Sequence, residues 1–231
     1  MLLTLPILEV LPATPRSRVV RLDLQGARFA YQPGQAVFVG LHGDKRRPYS
    51  IASAPGDADR LGWLELLVGV DASFSDLFAA TWTPGTMLDV EGPVGRFTFP
   101  YDPPSQRFTF IAGGTGIAPL RSMLRHALET PHKKISVLYS ARTPDEFAYE
   151  DELRALAMEG RIHLHQTVTR GEDSDAWRGG RGRIGHAELQ PIAEDPETLC
   201  FICGPRPLVN DATRLLGELG APRERIRIEE W

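Results

Sequence analysis

Residues 111–119 read Ile-Ala-Gly-Gly-Thr-Gly-Ile-Ala-Pro, and this stretch decides the fold of the second half of the chain. An apolar run, residues 107–112, leads into the glycines, and apolar residues at helical spacing follow over residues 117–128. The pattern predicts a strand, a tight turn and a helix. Pro119 agrees with this prediction, because the first turn of a helix has N–H groups without partners and tolerates a proline.

The composition of the turn favours a phosphate ligand. A glycine-rich turn between a strand and a helix lets main-chain N–H groups at the positive end of the helix reach a phosphate. Three glycines would leave room for a pyrophosphate beside the main chain, and a threonine would add a hydroxyl donor. These residues are Gly113, Gly114, Gly116 and Thr115. The stretch is not the G-x-G-x-x-G fingerprint, so by itself it also fits a turn without a ligand.

The composition is that of a globular protein. The chain has 231 residues, enough for one large or two small domains, with 42% apolar and 24% charged residues. A formal net charge of −4 argues against nucleic acid as the main partner. No apolar run is long enough to span a bilayer, and the apolar start lacks the basic segment of a signal peptide. We therefore expect a strand at the amino terminus and a cytoplasmic protein.

The cysteines and histidines do not predict a metal site. The chain has two cysteines, Cys200 and Cys203, in a run typical of a buried strand. Two thiols without further ligands are too few for an iron–sulfur cluster or a zinc site. His163 and His165 would project from one strand face with no third ligand in view. We therefore predict no metal.

The two halves of the chain differ in periodicity. The first half has short apolar runs separated by Gly, Pro or Asp, which predict strands at 7–11, 19–24, 36–41, 63–70, 87–90 and 97–99. With one short helix at 74–80, this half is typical of a small antiparallel barrel.

The second half alternates strand and helix patterns. Strands are predicted at 108–112, 135–140, 162–169, 199–203 and 226–228, and helices at 117–129, 145–158 and 205–219. Such alternation predicts a parallel sheet with right-handed crossovers. Ligands of parallel sheets bind beyond the carboxyl ends of the strands, and the glycine-rich turn lies at one of these ends.

A second motif, Arg47-Pro48-Tyr49-Ser50, lies in the first half. Alternation along a strand would place Arg47 and Tyr49 on one face and Ser50 on the other. A cation, an aromatic ring and a hydroxyl in one short strand suit a ligand with a phosphate, a flat ring system and a polar ring edge. An edge strand with an exposed arginine is the alternative that these residues leave open.

Four motifs together resemble one family. They are Arg-Pro-Tyr-Ser at 47–50, Glu-Gly-Pro-Val-Gly at 91–95, Gly-Gly-Thr-Gly at 113–116 and Cys-Gly-Pro at 203–205. In this order and spacing they resemble the ferredoxin–NADP⁺ reductase-like superfamily, over nearly the whole chain. The resemblance implies a six-stranded antiparallel FAD-binding barrel over residues 1–101 and a parallel-sheet NAD(P)H-binding domain over residues 102–231. It also implies a cleft that brings Tyr49 near Cys203, in a module without the iron–sulfur domain of oxygenase reductases.

The resemblance gives flavin-binding roles to the first motif. Arg47 would bind the flavin phosphate, and Pro48 belongs to the same motif. Tyr49 would pack on the isoalloxazine or ribityl region, and Ser50 would hydrogen-bond near flavin N5. Ser53 would lie near the pyrophosphate, which favours FAD over FMN.

Further flavin contacts follow from the same resemblance. Many members hold the flavin phosphates with a Gly-x-x-Ser loop, and the corresponding residues 71–75 lack that glycine. Ser73 or Ser75 would act in its place. Trp231 would cover the flavin face that the nicotinamide approaches, and Glu229 would lie near the ring edge. A packing role is the alternative for Trp231.

The resemblance assigns the nucleotide site to the second half. Cys203 would lie beside nicotinamide C4, where it and Ser50 would align the two rings, although a buried apolar cysteine is the alternative. Ser50, Cys203 and Glu229 are therefore the candidate catalytic residues. The candidate nucleotide-binding residues are Gly113, Gly114, Thr115, Gly116, Ser140, Arg142, Arg170, Gly204 and Pro205.

The choice between NADPH and NADH depends on cations for a 2′-phosphate. Ser140 and Arg142 follow the second predicted strand of this half, and Arg170 ends the third. No acidic residue at 140–143 would hold a free 2′-hydroxyl, so NADPH is slightly favoured. Exposed loop arginines without a ligand are the alternative.

The implied activity is that of a flavoprotein oxidoreductase. It would pass hydride from NAD(P)H to FAD and then single electrons to a separate carrier, such as ferredoxin, flavodoxin or an oxygenase component. Two alternatives stay open from the sequence. One is a flavin reductase that uses free flavin as its substrate, and the other is an electron-transfer subunit of a larger complex.

Overall fold

The computed structural model describes residues 1–70, 82–170 and 177–230. The predicted helix at 74–80 and the candidates Ser73, Ser75 and Trp231 lie outside the described residues. Within the described ranges, no helix is long and apolar enough to cross a membrane, and no group of three or more His, Cys, Asp or Glu could hold a metal ion.

The chain forms two compact units. The first unit is Met1–Phe99 together with Arg121–His126. The second unit is Pro100–Leu120 together with Ala127–Trp231. The assignment of separate cofactors to residues 1–101 and 102–231 remains a prediction.

The first unit is a six-stranded antiparallel sheet that closes on itself. Its strands are β1 (Leu2–Thr14), β2 (Ser17–Asp23), β3 (Ala36–Leu41), β4 (Arg47–Ser50), β5 (Trp63–Gly69) and β6 (Met87–Val94). Their order is β4-β3-β6-β1-β2-β5. The two ends of this order meet where Ile51, just after β4, bridges Leu66 of β5. The predicted barrel is confirmed.

The barrel core follows from the alternation of apolar and polar residues along the strands, since side chains of period two point to one face. Leu5, Ile7, Leu22, Val37 and Leu64 are almost completely buried in one cluster. Together they fill the interior of the barrel.

Two details of the barrel differ from the sequence prediction. The predicted strand at 97–99 does not form, and the barrel is completed instead by β4, which carries the Arg-Pro-Tyr-Ser motif. Phe97 and Phe99 are buried, but outside any strand, and the N–H of Phe99 donates to the carbonyl of Pro33. Apolar character therefore marked a core contact there and not a strand. Helix α1 (Pro55–Leu61) was not predicted from the sequence.

The second unit contains a six-stranded sheet in which all neighbouring strands are parallel. Its strands are β7 (Arg107–Gly113), β8 (Lys134–Ala141), β9 (His163–Val168), β10 (Gly180–Arg181), β11 (Leu199–Gly204) and β12 (Ile226–Glu230). The helices of this half are α2 (Ile117–Ala127), α3 (Glu150–Met158), α4 (His186–Ala193) and α5 (Arg206–Glu218). The predicted alternation is confirmed, with β10 and α4 as additional elements.

The strand order of this sheet, β10-β9-β8-β7-β11-β12, locates a ligand site. The chain proceeds from β7 outward through β8 and β9, and then returns to build β11 and β12 on the other side of β7. The carboxyl ends of β7 and β11 therefore flank the point where the strand order reverses, which is where open parallel sheets bind ligands. Both strands are buried on both faces, and Phe110 stacks on Phe201 across them at 5.5 Å between ring centroids.

Candidate functional site

The glycine-rich loop packs against the end of β11. Strand β7 ends at Gly113, and a single 3₁₀ turn, Gly114–Gly116, leads into α2. A Cβ on Gly116 would lie 2.4 Å from the carbonyl oxygen of Cys203, and one on Gly113 would lie 2.9 Å from Cδ of Pro205. A ligand was the predicted reason for both glycines, but their close neighbour is the chain itself. Glycine is required there so that the two strand ends can approach.

The part of the loop left open to a ligand is Gly114 and Thr115. Both residues are half-buried, and Gly114 has φ 54°, a left-handed conformation that glycine adopts without a steric penalty. Tyr139 of β8 fixes the loop, because its hydroxyl donates to the carbonyl of Gly114 at 3.0 Å. The same hydroxyl accepts from the N–H of Ala148 at 3.2 Å, and burial raises the pKa of Tyr139. Tyr139 was not predicted from the sequence, because an aromatic residue in a buried strand normally indicates packing alone.

Cys203 and Glu229 lie side by side at the carboxyl ends of β11 and β12. They are register partners of the two parallel strands, and the Cys203 thiol donates to Glu229 with Sγ 3.9 Å from Oε2. Burial raises the pKa of the Cys203 thiol, and the negative charge of Glu229 raises it further. The thiol therefore stays protonated as a weak donor. Two of the three predicted catalytic residues are thus brought together within the second unit.

Cys200 has a different environment from Cys203. It is buried in the apolar cluster with Ile111, Ile202 and Val209, and burial raises the pKa of its thiol to about 12. Both cysteines are free thiols. Cys200 is therefore a core residue, as its position within an apolar run predicts.

The pKa of Glu229 gives the first testable prediction. Burial raises the pKa of this carboxyl above its ordinary value, although the bond from Cys203 opposes the rise. The folded protein then holds this proton more tightly than the unfolded chain, so ionisation of Glu229 lowers the free energy of unfolding as the pH rises through the raised pKa. We expect Glu229→Gln, which cannot ionise, to gain stability relative to wild type as the pH rises from about 4 to about 8.

Urea unfolding at several pH values measures this difference. Glu230→Gln, an exposed neighbour on the same strand, controls for the loss of one negative charge. A stability difference between Glu229→Gln and wild type that is the same at every pH would contradict the prediction.

Arg142 and Arg170 lie together beyond β8 and β9. The N–H of Arg170 donates to the carbonyl of Arg142 at 2.7 Å, so the pairing of the two strands continues to these residues. Both side chains are exposed, and neither has a hydrogen bond or ion pair with a residue that the structure describes. Ser140 is buried between Gly113 and Thr167 of the neighbouring strands, whereas both arginines are exposed. The two arginines are therefore the stronger candidates for an anionic group.

In the first unit, strand β4 presents the Arg-Pro-Tyr-Ser motif. Arg47, Tyr49 and Ser50 are half-buried and Pro48 is exposed. The ring of Tyr49 packs edge-on against Trp82 with centroids 5.9 Å apart. The Tyr49 hydroxyl is buried and has no hydrogen-bond partner among the described residues, and burial raises the pKa of this group. An unsatisfied hydroxyl next to an arginine on one strand face fits a ligand with polar groups and a flat ring, as FAD has.

Ser53 has a hydroxyl whose hydrogen-bond partners lie within the first unit. Its side chain is buried, and its hydroxyl accepts from the N–H of Glu65 at 3.1 Å and lies 3.1 Å from the hydroxyl of Tyr31. The hydroxyl is thus engaged inside the unit, and a contact of Ser53 with a pyrophosphate stays a prediction. Its role in this structure is to join β5 to the segment after β4.

Comparisons with known proteins agree with both halves of this description. A family model described as the oxidoreductase FAD-binding domain matches residues 9–99, and one described as the oxidoreductase NAD-binding domain matches residues 110–214. The chain is 34% identical to ferredoxin–NADP reductase B of Sorangium cellulosum over 238 residues, which cover 97% of this chain and 96% of the relative.

Two further relatives are larger proteins. The chain is 31% identical to the glycine betaine monooxygenase reductase subunit of Pseudomonas aeruginosa over 209 residues, which cover 88% of this chain and 57% of the relative. The solved structure of the ferredoxin reductase in carbazole 1,9a-dioxygenase superposes with a TM-score of 0.85 at 22% identity, over 100% of this chain and 69% of that chain. At this identity the structure shows the shared fold. The closed barrel, the parallel sheet and the near full-length relative agree. The chain therefore belongs to the ferredoxin–NADP⁺ reductase family and is an NAD(P)H-dependent FAD oxidoreductase.

Proposed function

We propose that this enzyme takes electrons preferentially from NADPH and delivers them to a separate protein carrier, such as a ferredoxin, a flavodoxin or an oxygenase component. The observation that carries the proposal is the Cys203–Glu229 pair at the strand-order reversal, beside the open Gly114–Thr115 loop. The names of the relatives, a ferredoxin–NADP reductase and a monooxygenase reductase subunit, support the class of carrier.

The residues of the first unit would bind and orient the flavin. Arg47 would hold a phosphate, Tyr49 would pack on the ring system, and Ser50 would donate a hydrogen bond to the polar ring edge. FAD, when bound, supplies the redox chemistry, because a flavin accepts a hydride and returns its electrons singly. The contribution of the protein is then to position the two cofactors.

The residues of the second unit would bind NAD(P)H. The main-chain N–H groups of Gly114 and Thr115 would meet the pyrophosphate near the start of α2. The Cys203 thiol and the Glu229 carboxyl would contact the nicotinamide end, where a protonated thiol gives apolar contact without a competing charge. Placing Arg142 and Arg170 on adjacent strand ends supports a 2′-phosphate site and hence NADPH.

The central experiment is anaerobic mixing of the purified protein, loaded with FAD, with NADPH or NADH. We expect the flavin absorption band to bleach with both nucleotides and at lower concentrations of NADPH. A reduced ferredoxin or flavodoxin should then form in a second mixing step. A protein that neither holds nor reduces flavin would contradict the proposal.

A flavin reductase that uses free flavin is the second candidate. One observation supports this candidate. Ser53 suggested firm FAD binding, but its hydroxyl is engaged inside the first unit. Gel filtration of the FAD-loaded protein separates the candidates. Flavin that elutes with the protein indicates a resident cofactor, and flavin that elutes separately indicates a substrate.

A further inference from the structure

A carboxylate is buried in an otherwise apolar strand of the barrel. Glu65 lies in β5 between Leu64 and Leu66, and its side chain is 1% exposed. Its two oxygens are held by different guanidinium groups, with Oε2 2.8 Å from Nε of Arg21 and Oε1 2.9 Å from Nη1 of Arg121. Arg121 is also buried, with a side chain 9% exposed. The unit thus keeps a charged cluster on a strand whose other buried residues are leucine and valine.

The same cluster holds the main chain just after the Arg-Pro-Tyr-Ser motif. Nη1 of Arg121 also donates to the carbonyl of Ala52 at 2.9 Å. The N–H of Ala52 donates to the carbonyl of Glu65 at 2.7 Å, and the N–H of Glu65 donates to the Ser53 hydroxyl. The carbonyl of Ser53 accepts from Ser122 at 2.7 Å and from Tyr31 at 2.9 Å. Two consecutive residues therefore have their carbonyls and one N–H fixed by groups outside their own segment.

Stability alone does not account for the cluster. Replacing a buried ion pair by apolar side chains of similar size is often neutral or stabilising, because desolvation of two charges offsets their attraction. What apolar side chains cannot supply is a donor at the Ala52 carbonyl. The main chain there leads, within three residues, back to Tyr49 and Ser50.

We propose that Arg121 and Glu65 are positioning residues for the flavin. By fixing the carbonyl of Ala52, Arg121 holds the end of β4, so that Tyr49 and Ser50 meet the isoalloxazine ring in one orientation. Glu65 aims the guanidinium of Arg121 and neutralises its charge. Neither residue contacts the flavin itself, and the inference rests on the proposed function of β4.

Four variants test the proposal. Arg121→Met removes the donor, and Arg121→Lys retains a charge with different reach and geometry. The double variant Glu65→Leu with Arg121→Met removes both buried charges and leaves Arg21 to its remaining partner, Glu9. Arg60→Met is the matched control, since Arg60 is an exposed arginine of the same unit that bonds a buried carboxylate, Asp57.

Three quantities are measured for each protein: the FAD dissociation constant of the apoprotein, the thermal midpoint, and the rate of flavin reduction by NADPH at saturating FAD. We expect Arg121→Met to weaken FAD binding and slow reduction by roughly tenfold each, with an unchanged KM for NADPH. We also expect shifted flavin absorption bands, and partial recovery of binding and rate in Arg121→Lys. Arg60→Met should match wild type in all three.

The double variant separates positioning from stability. We expect it to regain the wild-type thermal midpoint while FAD affinity and reduction rate stay low. Recovery of affinity and rate together with the midpoint would overturn the proposal, as would wild-type values in Arg121→Met. If Arg121→Met does not fold, the FAD affinity and the reduction rate of the double variant decide the question. Failure of the flavin-binding role proposed for β4 is seen separately, because replacing Arg47 and Tyr49 in the wild-type background would then leave the FAD dissociation constant unchanged.

Discussion

Gly116→Ala is expected to unfold the nucleotide loop and abolish efficient use of NAD(P)H. The added Cβ would lie 2.4 Å from the carbonyl oxygen of Cys203, 2.6 Å from its carbonyl carbon and 2.8 Å from the nitrogen of Gly204. All three atoms are main chain in a buried strand, so no side chain can rotate to make room. We expect the free energy of unfolding to fall by roughly 2–3 kcal/mol, the cost typical of overpacking a rigid core.

The functional effect should be larger than the effect on stability. Relief of the overlap must move the glycine-rich loop away from Cys203, which disturbs both parts of the proposed nucleotide site. We expect kcat/KM for NADPH to fall by about a hundredfold or more, since displacement by about 1 Å costs that much in an oriented reaction. Urea unfolding and steady-state kinetics measure the two effects.

Gly217→Ala is the matched control. Gly217 lies in α5, and a Cβ there meets no atom within 4 Å. Alanine is the better helix former, so this variant should gain about 0.5–1 kcal/mol and keep wild-type kinetics. Wild-type stability and kinetics in Gly116→Ala would show that the two strand ends can separate without cost.

The second large effect is expected from the double variant Arg142→Ala with Arg170→Ala. Each arginine is proposed to donate a charge-assisted hydrogen bond to the 2′-phosphate of NADPH, and each is exposed, so solvent and salt weaken the bond. We expect KM for NADPH to rise about tenfold in each single variant and up to about a hundredfold in the double variant. KM for NADH should stay near its wild-type value, because NADH lacks the phosphate.

Arg183→Ala provides the control for this pair. Arg183 is an exposed arginine in the same unit, but its guanidinium is 3.2 Å from Asp211. It should leave both KM values unchanged. Equal increases of KM for NADPH and NADH in the double variant would mean that the two arginines serve the shared part of the nucleotide or the fold. A wild-type preference for NADH would contradict the proposed 2′-phosphate site without changing the family.

The fold class could be predicted because its signals are local. Alternation with period two gave the barrel strands, and alternation of strands with helices gave the parallel sheet. The strand predicted at 97–99 was wrong, because an apolar run indicates burial and does not by itself indicate backbone conformation. Helix α1 and strand β10 were missed because seven and two residues carry too little periodicity.

The candidate site was predicted only in part. Cys203 and Glu229 are 26 positions apart in sequence, and the resemblance placed Cys203 beside nicotinamide C4 and Glu229 near the edge of the flavin ring. The register of β11 and β12 makes them neighbours within the second unit. The internal bonds of the Ser53 hydroxyl were not foreseen, because a hydroxyl in sequence carries no sign of whether its bonds are used inside the protein. Tyr139 and Arg121 were missed for a related reason, since each acts through atoms of the main chain far away in sequence.

The sequence by itself determined the fold class of each half, the order of the motifs and the family, because these depend on local periodicity and on residue identity at fixed spacing. Only the tertiary structure decided why Gly113 and Gly116 are glycines, which hydroxyls remain available, and where the buried charge of Glu65 finds its partners. Those properties depend on distances between segments that are remote in the chain. Such distances are set by the packing of the whole unit, and no short stretch of sequence contains them.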